Sequence, residues 1–173
     1  ESVIWAFKEL YKKGLIYEGF KVLAYCWRCE TPLSNHELRM DDEVYKTRQD
    51  QTVTVTFPIV GGEYDKTRIL AWTTTPWTLP TNFALAVGPE IEYAIVAAGA
   101  NGAADGGDST TKYLIATSLL GNYAKDLGYE SAEEALAAIE TKVLGKDLAG
   151  IRYERIFDYY ADSTKFDTAN AWQ

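Results

Sequence analysis

Cys26 and Cys29 stand two residues apart in Cys26-Trp27-Arg28-Cys29, a spacing that lets two thiolates reach one ion from a tight turn. Structural zinc needs four donors, so the pair supplies half a site. His36 is the single histidine; as a third donor it would still leave the fourth position unfilled, and its plainer reading is a turn or surface residue. Two free thiols in a turn is the competing reading of the cysteines. A redox pair is the third, although that would call for a thioredoxin-like βαβ setting, which the chain does not offer.

The second chemically suggestive segment is Trp72-Thr73-Thr74-Thr75-Pro76-Trp77-Thr78-Leu79-Pro80-Thr81-Asn82, where five threonines, two tryptophans and two prolines fall within eleven residues. Each proline biases the residue before it away from the α region, so the segment is expected to be stiff and extended. Threonine hydroxyls both donate and accept and carry no charge to be screened, which suits a small polar ligand. The same hydroxyls can instead satisfy their own backbone in a turn. Nucleophilic triad chemistry is not supported, since His36 has no Gly-x-Ser-x-Gly partner and neither cysteine sits in a protease-like context. No glycine-rich phosphate loop is present. Asp41-Asp42-Glu43 and Glu133-Glu134 read as solvated faces, and Lys8, Lys12 and Lys13 as an exposed helix face.

At 173 residues with 47% hydrophobic and 13% aromatic content, the chain can bury a core of one ordinary domain with a small appendage. A formal charge of −8 argues against general nucleic-acid binding, which rests on Lys and Arg neutralising phosphates. No apolar run approaches a membrane span, no secretory signal is evident, and the cysteines are too few for a disulfide framework. The expected compartment is the cytosol, with no membrane partner.

The elements that must position these residues follow from periodicity. Ile4, Phe7, Leu10 and Tyr11 recur at helical spacing, with Ser2 able to cap and Gly14 following, which predicts a helix over 2–13. Phe20–Tyr25 reads as a strand delivering the cysteines into a turn closed by Thr31-Pro32. From Thr52, Val53, Val55, Phe57 and Ile59 alternate with Thr54 and Thr56, a half-buried strand that Gly61-Gly62 ends. Further strands are predicted at Arg68–Trp72, Phe83–Val87, Tyr93–Val96, Lys112–Thr117 and Tyr153–Tyr160. Residues 98–111 are small and polar, and a flexible, weakly ordered loop is expected there. Ser131 and Glu134 form a capping box ahead of a helix. The fold class expected is α+β: a β-rich, barrel-like body over 46–173 with peripheral helices, and a small N-terminal stem over 1–45 carrying the half zinc knuckle.

The segment Trp72–Asn82 closely resembles the threonine-rich editing motif of isoleucyl-tRNA synthetases, which are class I aminoacyl-tRNA synthetases. Lys13-Gly-Leu-Ile-Tyr17, Tyr25-Cys-Trp-Arg-Cys-Glu-Thr-Pro-Leu-Ser34 and Val55-Thr-Phe-Pro58 resemble the start of the same connective insertion. Valyl- and leucyl-tRNA synthetases carry a homologous insertion, but their motif typically places arginine, proline and an acidic residue where this chain has Thr75, Pro76 and Trp77. The resemblance implies a domain that hydrolyses valine wrongly attached to isoleucine tRNA. It places Thr73, Thr74, Thr75 and Asn82 as catalytic residues. Thr73, Thr74, Thr75, Trp77, Thr78 and Asn82 would bind the misacylated 3′-terminal adenosine and its valyl group, with Trp77 shaping the wall. Valyl-adenylate is a second candidate substrate. Partners implied are the 3′ end of isoleucine tRNA and the rest of the synthetase. Zinc at Cys26 and Cys29 belongs to the full-length protein, and ATP with magnesium to a synthetic domain whose signatures do not occur here. The family's Gly-Thr-Gly-x-Val-His segment and the acidic residue that binds the substrate ammonium do not occur either. The editing domain is therefore expected to be incomplete at its C-terminus, and the isolated chain to be inactive. A binding module without turnover and a free-standing deacylase are the readings of other classes. The half knuckle speaks against the latter.

Overall fold

A computed structural model describes residues 1–39, 45–162 and 164–172, and these divide into two compact units, 1–49 and 50–173. Asp41, Asp42 and Glu43 lie outside the described residues.

The first unit opens with helix α1, Ser2–Lys12, which buries none of its residues. Glu1, not Ser2, occupies its N-cap and makes no side-chain cap bond, while Gly14 takes φ +70° just past its end, a conformation open to glycine at little cost. The strand expected over Phe20–Tyr25 is much shorter. Only β1, Tyr25–Cys26, pairs, antiparallel to β2, Thr31–Pro32.

The second unit holds a five-stranded sheet. Its strands are β3 (Val53–Pro58), β4 (Arg68–Thr73), β5 (Glu92–Ala97), β6 (Lys112–Ala116) and β7 (Ile139–Leu144), in spatial order β3-β4-β6-β5-β7. Every pairing is antiparallel except β4 with β6, which run parallel and meet only at Arg68↔Tyr113 and Ile69↔Leu114. The sheet is open, with β3 and β7 at its edges, so the expected barrel does not close among the described residues. A closed barrel needs its edge strands to meet, and here they are separated by three strands.

Strands β5 and β6 are covered on both faces. Ala94, Val96, Tyr113 and Ile115 point into one cluster with Leu120, Leu127, Tyr129 and Ala135, whereas Ile95 and Leu114 point into another with Ile59, Val143 and Leu148. That is why Tyr93–Val96 and Tyr113–Ile115 read as continuous apolar runs, while edge strand β3 alternates. A 3₁₀ segment, Thr117–Tyr123, and helix α2, Ala132–Ala137, cover the first face. Ser131 caps α2 by accepting from Glu134 N at 3.1 Å, and Glu134 Oε2 accepts from Glu130 N at 2.8 Å, so the capping box forms one residue displaced on its second arm.

Further expectations are corrected. Phe83–Val87 forms no strand, and Tyr153–Tyr160 contributes a single bridge, Tyr153 with Ile59. Strand β7, Ile139–Leu144, follows directly on α2 and is not among the strands predicted from the sequence. The weakly ordered loop at 98–111 is instead tied down: Gly99 N, Asn101 N and Ala104 N donate to the carbonyls of Leu127, Gly128 and Asp126 at 2.8, 3.2 and 2.7 Å. Gly99 lies against the Gly128 backbone so closely that no Cβ would fit.

Within that loop the Asp105 carboxylate accepts from Tyr113 Oη at 2.5 Å, Arg68 Nη1 at 2.7 Å, Thr56 Oγ1 at 3.0 Å and Gly107 N at 3.1 Å. Burial pushes its pKa up, but the donors, Tyr113 first and then Arg68, outweigh it and hold the carboxyl below its ordinary value. Burial, with Asp105 as its acceptor, pushes the Tyr113 phenol far up in turn. One anion therefore joins the loop to β3, β4 and β6. Asp105→Ala should lower stability by roughly 1–3 kcal/mol, as expected for removing the shared acceptor of several partly buried donors, and should open 98–111 to limited proteolysis. Because the folded carboxyl titrates below a free aspartate, its contribution is complete above about pH 4 and is lost as pH falls through the lower folded value. Unfolding midpoints for parent and variant should accordingly converge in acid; a parallel offset at all pH values would contradict the assignment.

Candidate functional site: the threonine-rich junction

Strand β4 ends at Thr73, on the sheet face shared with Phe57 and Ile69, since Val53 is its cross-strand partner and side chains alternate. The chain bends at Thr74 and enters a 3₁₀ turn, Pro76–Thr81. This corrects the expectation of an extended segment. Thr75 does stay out of the helical region, at φ −127° and ψ 67°, as the proline after it demands. Pro76 then sits at the first turn position, where a missing N–H costs nothing, and Pro80 is accommodated inside the turn.

The threonines divide by what their hydroxyls are engaged in. Thr73 Oγ1 accepts from Thr75 N at 3.0 Å and lies 3.3 Å from Thr75 Oγ1. Thr78 Oγ1 and Thr81 Oγ1 donate to the carbonyls three residues back, Thr75 at 2.8 Å and Thr78 at 3.0 Å. The reading in which hydroxyls satisfy their own backbone holds for Thr78 and Thr81, which brace the turn, while Thr74 is exposed and makes no side-chain hydrogen bond among the described residues. Trp77 is 73% exposed. The structure brings Thr73, Thr75 and Thr78 together through these bonds and leaves Thr74 and Trp77 on the surface beside them.

Asn82 closes the turn, its N–H donating to Leu79 O at 3.1 Å. Its Nδ2 donates to Ala84 O at 3.1 Å, its Oδ1 accepts from Tyr153 Oη at 2.7 Å, and its backbone carbonyl accepts from Trp172 Nε1 at 3.1 Å. Tyr153 is buried, packs edge-to-face on Phe57 with ring centroids 5.1 Å apart, and has its phenol pushed up to about 12, mainly by burial. Trp172 stacks on Phe83 at 5.8 Å beneath the Arg155 guanidinium. Sequence reasoning missed Tyr153 and Trp172, because no local pattern signals a tyrosine or tryptophan that reaches an asparagine so far away along the chain.

A cleft of about 370 Å³ opens elsewhere in this unit, lined by Thr54, Thr56, Leu70, Asp105, Tyr113, Tyr123 and Asp126 among others. It takes no residue from the threonine-rich junction. The Asp105 cluster on its wall was also missed, the aspartate having been read as part of a flexible loop.

In the first unit the two-strand ribbon presents the cysteine turn. Cys29 N donates to Cys26 Sγ at 3.3 Å, and Glu30 N to Cys26 O at 2.7 Å, with Glu30 in the left-handed region at φ 57°. Donation by the Cys29 and Arg28 N–H groups holds the Cys26 thiol below its ordinary value, and Cys29, bonded to that sulfur and facing its charge, is held above. One thiolate is therefore favoured and the second opposed. Among the described residues no group of three or more His, Cys, Asp and Glu side chains converges, so these residues by themselves do not fit a four-donor zinc site.

The description "tRNA synthetases class I (I, L, M and V)" belongs to the family model that matches residues 1–172. The chain belongs to that family. It is similar to isoleucine–tRNA ligases: 60% identical over 184 residues to that of Leifsonia xyli subsp. xyli, covering 100% of this chain and 16% of the relative. Against the Tropheryma whipplei (strain Twist) ligase the identity is 55% over 167 residues, covering 94% of this chain and 15% of the relative. The Mycobacterium tuberculosis (H37Rv) ligase is 49% identical over 166 residues, covering 94% and 14%. The chain thus spans about one sixth of the length of these relatives. No described helix is long and apolar enough to cross a membrane.

With only two donors converging among the described residues, zinc should bind weakly or by sharing one ion between two molecules. Elemental analysis after dialysis is expected to find well under one zinc per chain; one zinc per chain that survives chelator would contradict this.

Proposed function

We propose that this chain forms part of an isoleucyl-tRNA synthetase and serves its proofreading step, the hydrolysis of valine wrongly esterified to isoleucine tRNA. The observation that carries the reading is the junction itself, a rigid strand-to-turn corner with Thr73 and Thr75 hydroxyls 3.3 Å apart, next to Thr74 and an exposed Trp77. Identities of 49–60% to isoleucine–tRNA ligases over most or all of the chain support it.

A pocket shaped for isoleucine cannot strongly exclude valine, because the smaller side chain fits inside it; isoleucine against valine is itself the long-standing example of this limit and of a second, hydrolytic sieve. An aminoacyl ester is already activated, so a site that orients its carbonyl and a water needs no covalent nucleophile. Uncharged hydroxyls on a fixed backbone suit that task. Thr73 and Thr75 would hold the ribose and ester, Thr74 would present a hydroxyl not committed elsewhere, and Trp77 would wall the valyl group. Thr78 keeps acceptor capacity after its own donation. Asn82 retains one N–H and one lone pair. Valyl-adenylate carries the same acyl group and is a second substrate of the same chemistry.

With a formal charge of −8, the chain offers little general attraction for a polyanion, so the rest of the synthetase would supply most of the grip on tRNA. ATP and magnesium would act in the synthetic part of that enzyme. Cys26 and Cys29 would give zinc two of its donors, the others coming from outside the described residues.

The test is release of valine from misacylated isoleucine tRNA by a full-length synthetase containing this sequence. Thr75→Arg fills the corner with a long cation and Trp77→Ala removes the wall; each should slow hydrolysis by at least about tenfold, the order expected when a positioned contact at the reacting group is lost. Unchanged hydrolysis in both would leave the junction a scaffold and favour a binding module without turnover. A preference for threonyl ester or for misacylated leucine tRNA would point to the homologous valyl or leucyl enzymes.

A further inference from the structure

Asn82 is anchored in a way that fixes which end of its amide faces where. Ala84 O can only accept, so the group 3.1 Å from it must be the Nδ2 amine. The other end of the amide, Oδ1, therefore faces Tyr153, and the Tyr153 hydroxyl, at 2.7 Å, must donate. Tyr153 in turn cannot turn away: it is 4% exposed, its ring packs against Phe57, its N–H donates to Trp172 O at 3.1 Å, and its backbone bridges Ile59. Trp172 seals the arrangement from the main-chain side, with Nε1 on Asn82 O and N on Phe83 O at 2.6 Å.

We infer that Tyr153 is a positioning residue for ester hydrolysis: its hydroxyl locks the Asn82 amide so that one N–H and one lone pair are presented to the substrate in a single orientation. The inference rests on the proofreading reading of the junction. With phenylalanine at 153 the ring still fills its place beside Phe57, but Oδ1 loses its donor and the amide is held at one end only, by Ala84 O. An amide held at one end swings, and presents its free N–H in the productive direction only part of the time. The burden therefore falls on the rate of the bound complex rather than on binding of the large tRNA.

Hydrolysis of misacylated tRNA is measured for the full-length synthetase, Tyr153→Phe, Asn82→Ala and the double variant, with Thr75→Arg as the control for the functional reading and thermal unfolding run beside each. Tyr153→Phe should lower kcat by about tenfold, the worth of one hydrogen bond, with little change in KM and only a small fall in the unfolding midpoint. The double variant should be no slower than Asn82→Ala alone, because a residue that acts through Asn82 has nothing further to lose once Asn82 is gone. Additive losses in the double variant, or a Tyr153→Phe enzyme with parental kcat beside a slowed Thr75→Arg, would overturn the inference and leave the proofreading reading standing. A parent enzyme that releases no valine would remove both.

Discussion

Burial of β5 and β6 on both faces is the constraint on which the second unit depends. Ala94 and Val96 face one cluster and Ile95 the other, so neither face of these strands can be left to solvent. The coverings follow from that need: α2 and the 3₁₀ segment Thr117–Tyr123 on one side, Leu148 and the region around Ile59 on the other. Strands β3 and β4 extend the sheet outward, and the threonine-rich junction lies at the end of β4. A surface corner of this kind can keep hydroxyls accessible because the cost of fixing its backbone is met by packing elsewhere.

Polar groups that are half-buried do the remaining fixing. Asp105 gathers four donors from the loop, β3, β4 and β6, and Asn82 gathers its partners from Ala84, Tyr153 and Trp172. Each is a short polar residue tied to several partners at once, which is the condition under which such groups specify a conformation and do not merely tolerate it. Membership of the class I tRNA synthetase family and likeness to isoleucine–tRNA ligases give the junction its biochemical context. The geometry indicates which of its threonines hold the turn and which face outward.

Local patterns made much of this legible, and non-local contacts account for what they missed. β3 announced itself by alternation, β5 and β6 by apolar runs, and α2 by Ser131 and Glu134, because in each case the cause lies within a few residues. Phe83–Val87 looked like another strand, yet Phe83 O is taken by Trp172 N and the Phe83 ring by the Trp172 indole, so that stretch is held by the far end of the chain. Residues 98–111 looked loose because their composition is small and polar; their order comes from carbonyls at 126–128 and from Arg68 and Tyr113, none of which composition reveals. The threonines were visible as a group, but whether a given hydroxyl faces its own backbone or open space depends on the 3₁₀ turn. The prolines permitted that turn without dictating it.

The single parallel contact in the sheet has a kinetic meaning. β3 with β4, and β5 with β6, are hairpin-like pairs that close over short stretches of chain, whereas β4 and β6 meet at only two residue pairs across a long separation. Local pairs form early, and long closures are rewarded only when many contacts arrive together. Docking one hairpin on the other therefore closes a long stretch of chain for little pairing, and the Arg68–Asp105 ion pair at 2.7 Å beside that seam can form only once it has happened. The threonine-rich corner is built at the end of the first hairpin, whereas its anchorage at Asn82 needs the chain to return at Tyr153 and Trp172.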